Sequence, residues 1–212
     1  SYDFSGAHVL VTGATSGIGA QTAARYREAG AEVTITGTRG SASEYDADLS
    51  GYRYLPMNAE DDASVDAVAA ALPRLDILVN NAGLALASQG MSEWEPEIFD
   101  RSVKMLLTAV YRLSHRTLGL LEQSQFPGGA SVMGIASLSS YFGIPMVVGY
   151  GAAKTGLVGV TRTMAVEWGP KNIRVNAVAT GLVKTGMTAG TFANPEWTEP
   201  SLLRTPLGRL GQ

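Results

Sequence analysis

The stretch "HVLVTGATSGIG", residues 8–19, joins a short apolar run to a glycine-rich turn. The run has the apolar, β-branched content that a strand buried on both faces requires. Gly13, Gly17 and Gly19 would let the main chain turn sharply and approach a pyrophosphate closely, because no Cβ stands in the way. A helix beginning after this turn would offer the phosphates free N–H groups and a positive dipole end. The stretch predicts a dinucleotide site at the first strand–helix junction, with an ordinary βα turn as the structural alternative.

Outward from this junction, short strand-like runs alternate with longer helix-like segments. The apolar patterns predict strands at 8–13, 32–37, 52–57, 75–80, 130–137 and 173–179. They predict helices at 17–29, 61–72, 97–122, 150–168 and over part of 186–205. This order indicates an α/β fold, a Rossmann-like doubly wound parallel sheet with helices on both faces. Since no repeat or linker interrupts the series, residues 1–212 are expected to form a single domain.

Composition narrows the classes of function. With 212 residues, 45% hydrophobic and 17% charged, the chain has the composition of a folded globular protein. Its net charge of −3 gives no electrostatic reason to expect nucleic acid or an acidic membrane surface as a partner. The lack of cysteine excludes disulfides, and the two histidines, His8 and His115, do not have a metal-ligand spacing. The lack of cysteine and the histidine spacing also make a metal site unexpected. The apolar run at 8–13 is too short for a signal or a membrane span, so we expect a cytoplasmic protein.

The sequence "YGAAK", residues 150–154, places Tyr150 and Lys154 one helical turn apart and therefore on one face. Such a pair alone is common on helix surfaces. Here it follows T-G-x-x-x-G-I-G at 12–19, N-N-A-G at 80–83 and Ser137, and it precedes "IRVNAVATG" at 173–181. This ordered set, spread over essentially the whole chain, resembles the short-chain dehydrogenase/reductases of the ketoreductase or alcohol dehydrogenase type. The resemblance implies an enzyme that interconverts a small-molecule ketone and a secondary alcohol with a nicotinamide cofactor.

The resemblance assigns Ser137, Tyr150 and Lys154 as the catalytic residues. Tyr150 would be the general acid/base, for which its pKa of about 10 must fall toward neutrality. Lys154 would lower this pKa through its positive charge and would also hold the nicotinamide ribose. Ser137 would hydrogen-bond the substrate oxygen; its structural alternative is a helix or turn cap within "IASLSS".

The resemblance also implies a set of cofactor-binding residues. Residues 80–83 would support the sheet and the adenine ribose, and Asn58 would accept a hydrogen bond from the adenine amine. Thr185 would contact the nicotinamide carboxamide, with an N-cap as its structural alternative. The implied set comprises Gly13, Thr15, Ser16, Gly17, Ile18, Gly19, Thr38, Arg39, Asn58, Ala59, Asn81, Ala82, Gly83, Tyr150, Lys154, Gly181, Val183 and Thr185.

The end of the second predicted strand bears on the choice of cofactor. NAD-preferring family members carry an acidic residue there that binds the ribose hydroxyls, whereas this chain has Gly37. Thr38 and Arg39 follow, and a guanidinium beside a hydroxyl suits a 2′-phosphate. NADP(H) is therefore favoured and NAD(H) is possible. The structural alternative is that Arg39 is a solvated loop residue.

The chain departs from the family pattern in three places. Asn58 stands where the family usually has an aspartate, although its amide oxygen can still accept the same hydrogen bond. Leu106 stands where the family has a catalytic asparagine, and leucine cannot hold the water that links the lysine to solvent. The chain stops at "TPLGRLGQ", before the family's further C-terminal helix and strand, so we expect either a truncated chain or a reduced family member. Leu106 and the missing C-terminal elements motivate the rival interpretation, a catalytically impaired nucleotide-binding sensor or scaffold protein.

Residues 182–205 are expected to form a substrate lid over the pocket. Their Met187, Phe192, Trp197 and Leu202, together with residues 146–148, suggest an apolar and fairly bulky ligand. The alternative is that these side chains pack the lid onto the body of the protein. By the resemblance, the helices at 103–122 and 150–168 would pair with their copies, so a homodimer or homotetramer is expected.

Overall fold

The computed structural model describes residues 2–211; Ser1 and Gln212, which the predicted domain range also includes, lie outside the described residues. Within this range six parallel strands form one sheet in the order β3-β2-β1-β4-β5-β6. The strands are β1 (His8–Val11), β2 (Glu32–Gly37), β3 (Arg53–Pro56), β4 (Ile77–Asn80), β5 (Ala130–Ser137) and β6 (Ile173–Thr180). The predicted single-domain α/β fold with a Rossmann-like parallel sheet is confirmed.

The described part of the chain contains eight α-helices, of which six lie between strands and two follow β6. They are α1 (Gly17–Glu28), α2 (Asp62–Ala71), α3 (Pro96–Val103), α4 (Ala109–Arg116), α5 (Leu118–Glu122), α6 (Val148–Trp168), α7 (Ala189–Ala193) and α8 (Pro195–Leu203). Short 3-10 helices occupy Ala42–Glu44, Leu86–Gln89, Leu138–Ser140 and Gly169–Lys171. The helix predicted at 97–122 is divided, because a π-helical turn, Lys104–Thr108, separates α3 from α4 and Thr117 ends α4 before α5.

The core lies on both faces of the sheet. Val9 and Val11 of β1 pack on the face covered by α1, whereas Leu10 packs on the other face, against α2, α4 and α6. Successive strand side chains point to opposite faces, so a strand that is covered on both sides must be apolar at every position. This burial explains why the run "HVLV" does not alternate between apolar and polar residues.

β1 lies in the middle of the sheet and pairs in parallel with β2 on one side and with β4 on the other. The direction in which successive strands are added therefore reverses between β1 and β4. In open α/β sheets a crevice forms at such a switch point, outside the carboxyl ends of the strands. All the strand ends that carry predicted site residues face this edge. The fold therefore places the candidate site before any side chain is considered.

Among residues 2–211, no helix combines the length and the hydropathy that crossing a lipid bilayer would require.

Candidate active site

The glycine-rich turn after β1 is shaped as a cradle. Gly13 and Gly17 have φ values of +62° and +57°, which favour glycine, and a Cβ at Gly13 would lie 2.7 Å from the Cα of Ala82. Ser16 is the N-cap of α1, but its side chain makes no capping hydrogen bond within residues 2–211. The N–H groups of the first helical turn therefore stay free for an anion. The turn fits the pyrophosphate of a dinucleotide, which the family resemblance implies as the cofactor.

Asn81 fastens this turn to the end of β4. Its side-chain amide donates to the carbonyl oxygens of Thr12, at 2.9 Å, and Gly13, at 3.1 Å. The main-chain N–H groups of Asn81 and Ala82 both donate to Thr12 Oγ1, at 3.0 and 2.9 Å. The side-chain amide of Asn81 therefore has a structural role: it links the end of β4 to the end of β1.

Ser137, Tyr150 and Lys154 lie at the same edge of the sheet. Ser137 ends β5, while Tyr150 and Lys154 share one face of α6, with Lys154 Nζ 5.5 Å from the centroid of the Tyr150 ring. The buried ammonium of Lys154 donates to the carbonyl oxygen of Ile135 at 2.5 Å. Ser137 Oγ accepts from Ser139 N at 3.2 Å, so this side chain also caps the turn that follows.

Burial dominates the electrostatics of Tyr150 and Lys154. Burial raises the pKa of Tyr150; the interaction with Ser137 opposes this rise, and the carboxylate of Glu93 adds to it. Burial also lowers the pKa of Lys154 to about 8. The expected lowering of the Tyr150 pKa by Lys154 is not produced by the protein's own groups, because desolvation of the phenol is the larger influence and the ammonium points to Ile135.

Leu106 lies inside the π-helical turn and is fully buried. Its side chain occupies the space into which a Cβ of Gly83 would project, and it belongs to a buried apolar cluster with Ala153, against which Tyr150 packs. The buried, apolar Leu106 side chain thus occupies the position at which the family pattern has the amide of an asparagine. Since leucine cannot hydrogen-bond a water there, a weakened proton relay to Lys154 is still expected, and it stays a prediction.

The corner at the end of β2 contains two tyrosines that the sequence analysis did not assign. Arg39 N donates to Tyr45 Oη at 2.9 Å, and Tyr54 Oη donates to the carbonyl oxygen of Arg39 at 2.5 Å. The guanidinium of Arg39 lies over the Tyr45 ring, 4.6 Å from its centroid. A Cβ at Gly37 would collide with the Tyr45 hydroxyl, so this phenol fills the space beside the glycine. Aromatic residues within an otherwise polar loop were the only sequence signal for this arrangement.

The remaining predicted site residues lie along the same edge. Asn58, just after β3, is exposed, and its Oδ1 accepts from Glu60 N at 3.0 Å. Thr185 approaches the glycine-rich turn, because a Cβ at Gly17 would lie 3.4 Å from its Cγ2 atom. The structure therefore brings the carboxyl-end loops together as the sequence analysis requires. The other members at this edge are Thr15, Ile18, Gly19, Thr38, Ala59, Gly181 and Val183.

The predicted lid segment, 182–205, contains α7 and α8. Its beginning is tied down by Gly211, which donates to Leu182 O at 2.9 Å and accepts from Lys184 N at 3.0 Å. Met187 and Trp197 are 43% and 50% exposed. Phe192 and Leu202 are half-buried, so the alternative, in which these apolar side chains pack the segment onto the body, stays open.

Glu93 is another residue beside this site that the sequence analysis did not assign. Its side chain is fully buried, and its Oε2 accepts from the main-chain N–H of Tyr150 at 2.8 Å. Nothing in "GMSEWEPE" distinguishes this glutamate from its exposed neighbours Glu95 and Glu97. The contact spans 57 residues and becomes visible only in the folded protein.

Comparison with known proteins gives consistent relatives. Residues 13–212 match the family described as enoyl-(acyl carrier protein) reductase. The 3alpha-hydroxysteroid dehydrogenase of Mediterraneibacter gnavus is 35% identical, over 96% of this chain and 83% of that protein. Carbonyl reductase (NADPH) 2 of Sus scrofa is 30% identical, over 99% of this chain and 85% of its own length. A crystal structure of a gluconate 5-dehydrogenase from Burkholderia cenocepacia, in complex with NADP and tartrate, superposes with a TM-score of 0.84 at 25% identity, over 99% of this chain and 84% of that one.

Proposed function

The chain belongs to the short-chain dehydrogenase/reductase family and is an oxidoreductase of the NAD(P)-dependent, hydroxyl/carbonyl type. From this premise we propose that it interconverts a ketone and a secondary alcohol, with Tyr150 as the general acid/base. The observation that carries the proposal is the placement of Ser137, Tyr150 and Lys154 beside the glycine cradle, at one edge of the sheet.

The chemistry divides between the cofactor and the chain. When bound, the nicotinamide ring supplies or accepts the hydride. The Tyr150 hydroxyl gives a proton to the carbonyl oxygen in reduction and takes it back in oxidation. Ser137, whose hydroxyl can rotate away from Ser139, donates a hydrogen bond to the same oxygen and so fixes its position. The half-buried phenol with a raised pKa stays protonated at neutral pH, which suits the direction of reduction.

The rival function, a nucleotide-binding sensor or scaffold, is favoured by one observation, the fully buried Leu106. An apolar side chain there removes a polar site for a relay water. A protein that binds NADPH but turns over no member of a broad panel of ketones and secondary alcohols would support the rival. Turnover that depends on Tyr150 would support the enzyme.

NADP(H) is the proposed cofactor. The two tyrosines hold the main chain of Arg39 from both sides, and the Tyr45 ring supports its guanidinium. Hydrogen bonds with Tyr54 and the nearby main chain lower the pKa of Tyr45, although burial opposes them. A planar guanidinium held in this way can pair with a phosphate through two hydrogen bonds. Tyr45 also fills the space beside Gly37 where an NAD-type carboxylate would stand.

The proposed substrate is apolar and fairly bulky. Tyr141, Phe142 and Met146, in the segment between Ser137 and Tyr150, are 60%, 63% and 58% exposed. Trp94 lies against the same segment, since its Nε1 donates to Pro145 O at 2.8 Å. Exposed apolar side chains concentrated at one rim are typical of a ligand or partner surface. Comparing apolar cyclic ketones with small polar ones of similar reactivity tests this part, and equal kcat/KM values would refute it.

A homodimer or homotetramer, formed through α4 and α6, is also proposed. Val166 on α6 is 81% exposed and Tyr111 on α4 is 48% exposed, so both helices present apolar side chains outward. Light scattering that showed a monomer at micromolar concentration would refute this assembly. The expected cytoplasmic location stays a prediction.

A further inference from the structure

Glu93 is a buried acid without a charged partner. Its side chain has no exposed surface, and among the residues that the structure describes no cation lies within salt-bridge distance of it. Its two oxygens accept main-chain N–H groups instead, from Tyr150 at 2.8 Å and from Ala87 at 3.4 Å. Burying a carboxylate is costly unless it is hydrogen-bonded, so this arrangement calls for a reason.

The beginning of α6 explains what Glu93 is bonded to. The N-cap of this helix is Val147, which has no side-chain oxygen with which to cap the first turn. Tyr150 is the third residue of the helix, and its N–H has no acceptor within the helix. Glu93 supplies that acceptor from a segment 57 residues earlier in the chain. The residue whose N–H it caps is the one that carries the reactive phenol.

Two further contacts fix the same turn. Trp94, next to Glu93, donates from Nε1 to Pro145 O at 2.8 Å, just before α6 begins. Gly149 touches α3, because a Cβ there would lie 2.9 Å from the Cβ of Ser102 and 3.1 Å from the Cα of Phe99. The first turn of α6 is therefore held against residues 93–102 by a carboxylate, an indole and a close helix contact.

We propose that Glu93 is a positioning residue, which caps the first turn of α6 and thereby fixes the orientation of the Tyr150 side chain toward Ser137. This inference rests on the proposed function only for its kinetic consequence.

The carboxylate has a second, electrostatic effect on the site. Three groups from three elements lie near the Tyr150 side chain: Lys154 on α6, 5.5 Å from the ring centroid, Ser137 on β5, and Glu93 on the segment before α3, which is bonded to the Tyr150 N–H. Burial raises the pKa of Tyr150, Ser137 lowers it, and the negative charge of Glu93 raises it further. Removing that charge while keeping the cap should therefore shift the pH dependence of turnover toward lower pH.

A pair of variants separates the cap from the charge. Glu93→Gln keeps an oxygen that accepts from Tyr150 N but is neutral, whereas Glu93→Asp keeps the charge but withdraws the carboxylate by one methylene. Asp76→Asn is the matched control, since Asp76 is also fully buried and accepts a main-chain N–H, from His8 at 2.8 Å, but lies at the opposite edge of the sheet.

Amide hydrogen exchange gives a readout that needs no activity. We expect Glu93→Asp to speed exchange in the peptide covering residues 148–151 by about 10-fold or more, since an uncapped first turn opens locally. Glu93→Gln and Asp76→Asn should leave exchange of that peptide unchanged. In turnover assays Glu93→Asp should lower kcat by about 10- to 100-fold with little change in KM, because misplacement of a catalytic group is felt mainly in the rate.

The contrary outcomes are distinct from those of the proposed function. Unchanged exchange at residues 148–151 in Glu93→Asp would overturn the inference even if the enzyme is active. An equal increase in Asp76→Asn would also overturn it, because it would show general loosening of the fold. If no substrate is ever turned over, the proposed function fails, but the exchange measurement still decides the role of Glu93.

Discussion

Replacing Arg39 with alanine tests whether this chain reads the 2′-phosphate of NADPH. The guanidinium lies 4.6 Å from the Tyr45 ring centroid, and the main chain is held by Tyr45 and Tyr54, so little ordering of the side chain is needed on binding. A hydrogen bond to a charged group contributes about 1.5–3 kcal/mol, and exposure with salt screening reduces this to about 1–2 kcal/mol. The variant should therefore bind NADPH about 5- to 30-fold more weakly.

Calorimetric titration with NADPH and NADH in parallel measures this effect. NADH lacks the 2′-phosphate, so its affinity should be the same for the wild-type protein and for Arg39→Ala. Arg53→Ala is a suitable control, because Arg53 is also exposed but begins β3 at the other edge of the sheet, where it donates to Ala71 O. Equal losses for the two cofactors, or no loss for NADPH, would show that Arg39 does not read the phosphate.

Three further predictions follow from the site. Tyr45→Phe removes the acceptor of the Arg39 N–H and should lower the preference for NADPH over NADH by about 2- to 10-fold in the same titration. Leu106→Asn should lower the free energy of unfolding by about 3 kcal/mol in urea denaturation, because a fully buried leucine is lost and a buried amide lacks a partner; an unchanged midpoint would contradict this. Lys154 has its pKa lowered to about 8, so between about pH 8 and 10 the unfolded chain binds more protons and stability should rise with pH, a rise that Lys154→Met should lack.

The strands could be predicted well because a strand that is buried on both faces requires a continuous apolar run, which is visible in the sequence. The bounds of β2 and β5 agree with the predicted 32–37 and 130–137, since each is an apolar, β-branched run that ends at a turn. The helix predicted at 97–122 was placed correctly but not divided. A π-helical turn alters hydrogen bonding within a continuous apolar pattern, so periodicity alone does not reveal it.

Most of the motif residues could be assigned to the carboxyl edge of the sheet because each motif directly follows or ends a predicted strand. Glu93, Tyr45 and Tyr54 were not found, because their roles depend on contacts with Tyr150 and Arg39 that only the folded chain creates. The direction of the Tyr150 pKa was missed for a related reason. Sequence spacing reveals the nearby positive charge of Lys154, but it does not reveal the desolvation that outweighs it.

The most direct test of the proposed function is NADPH consumption with a panel of apolar ketones, run in parallel on the wild-type protein and Tyr150→Phe. The account predicts turnover by the wild-type protein and a loss of about 100-fold or more in kcat for the variant, because phenylalanine lacks the hydroxyl that donates the proton. Wild-type protein that binds NADPH tightly but turns over no ketone, or a variant that is as active as the wild type, would contradict it.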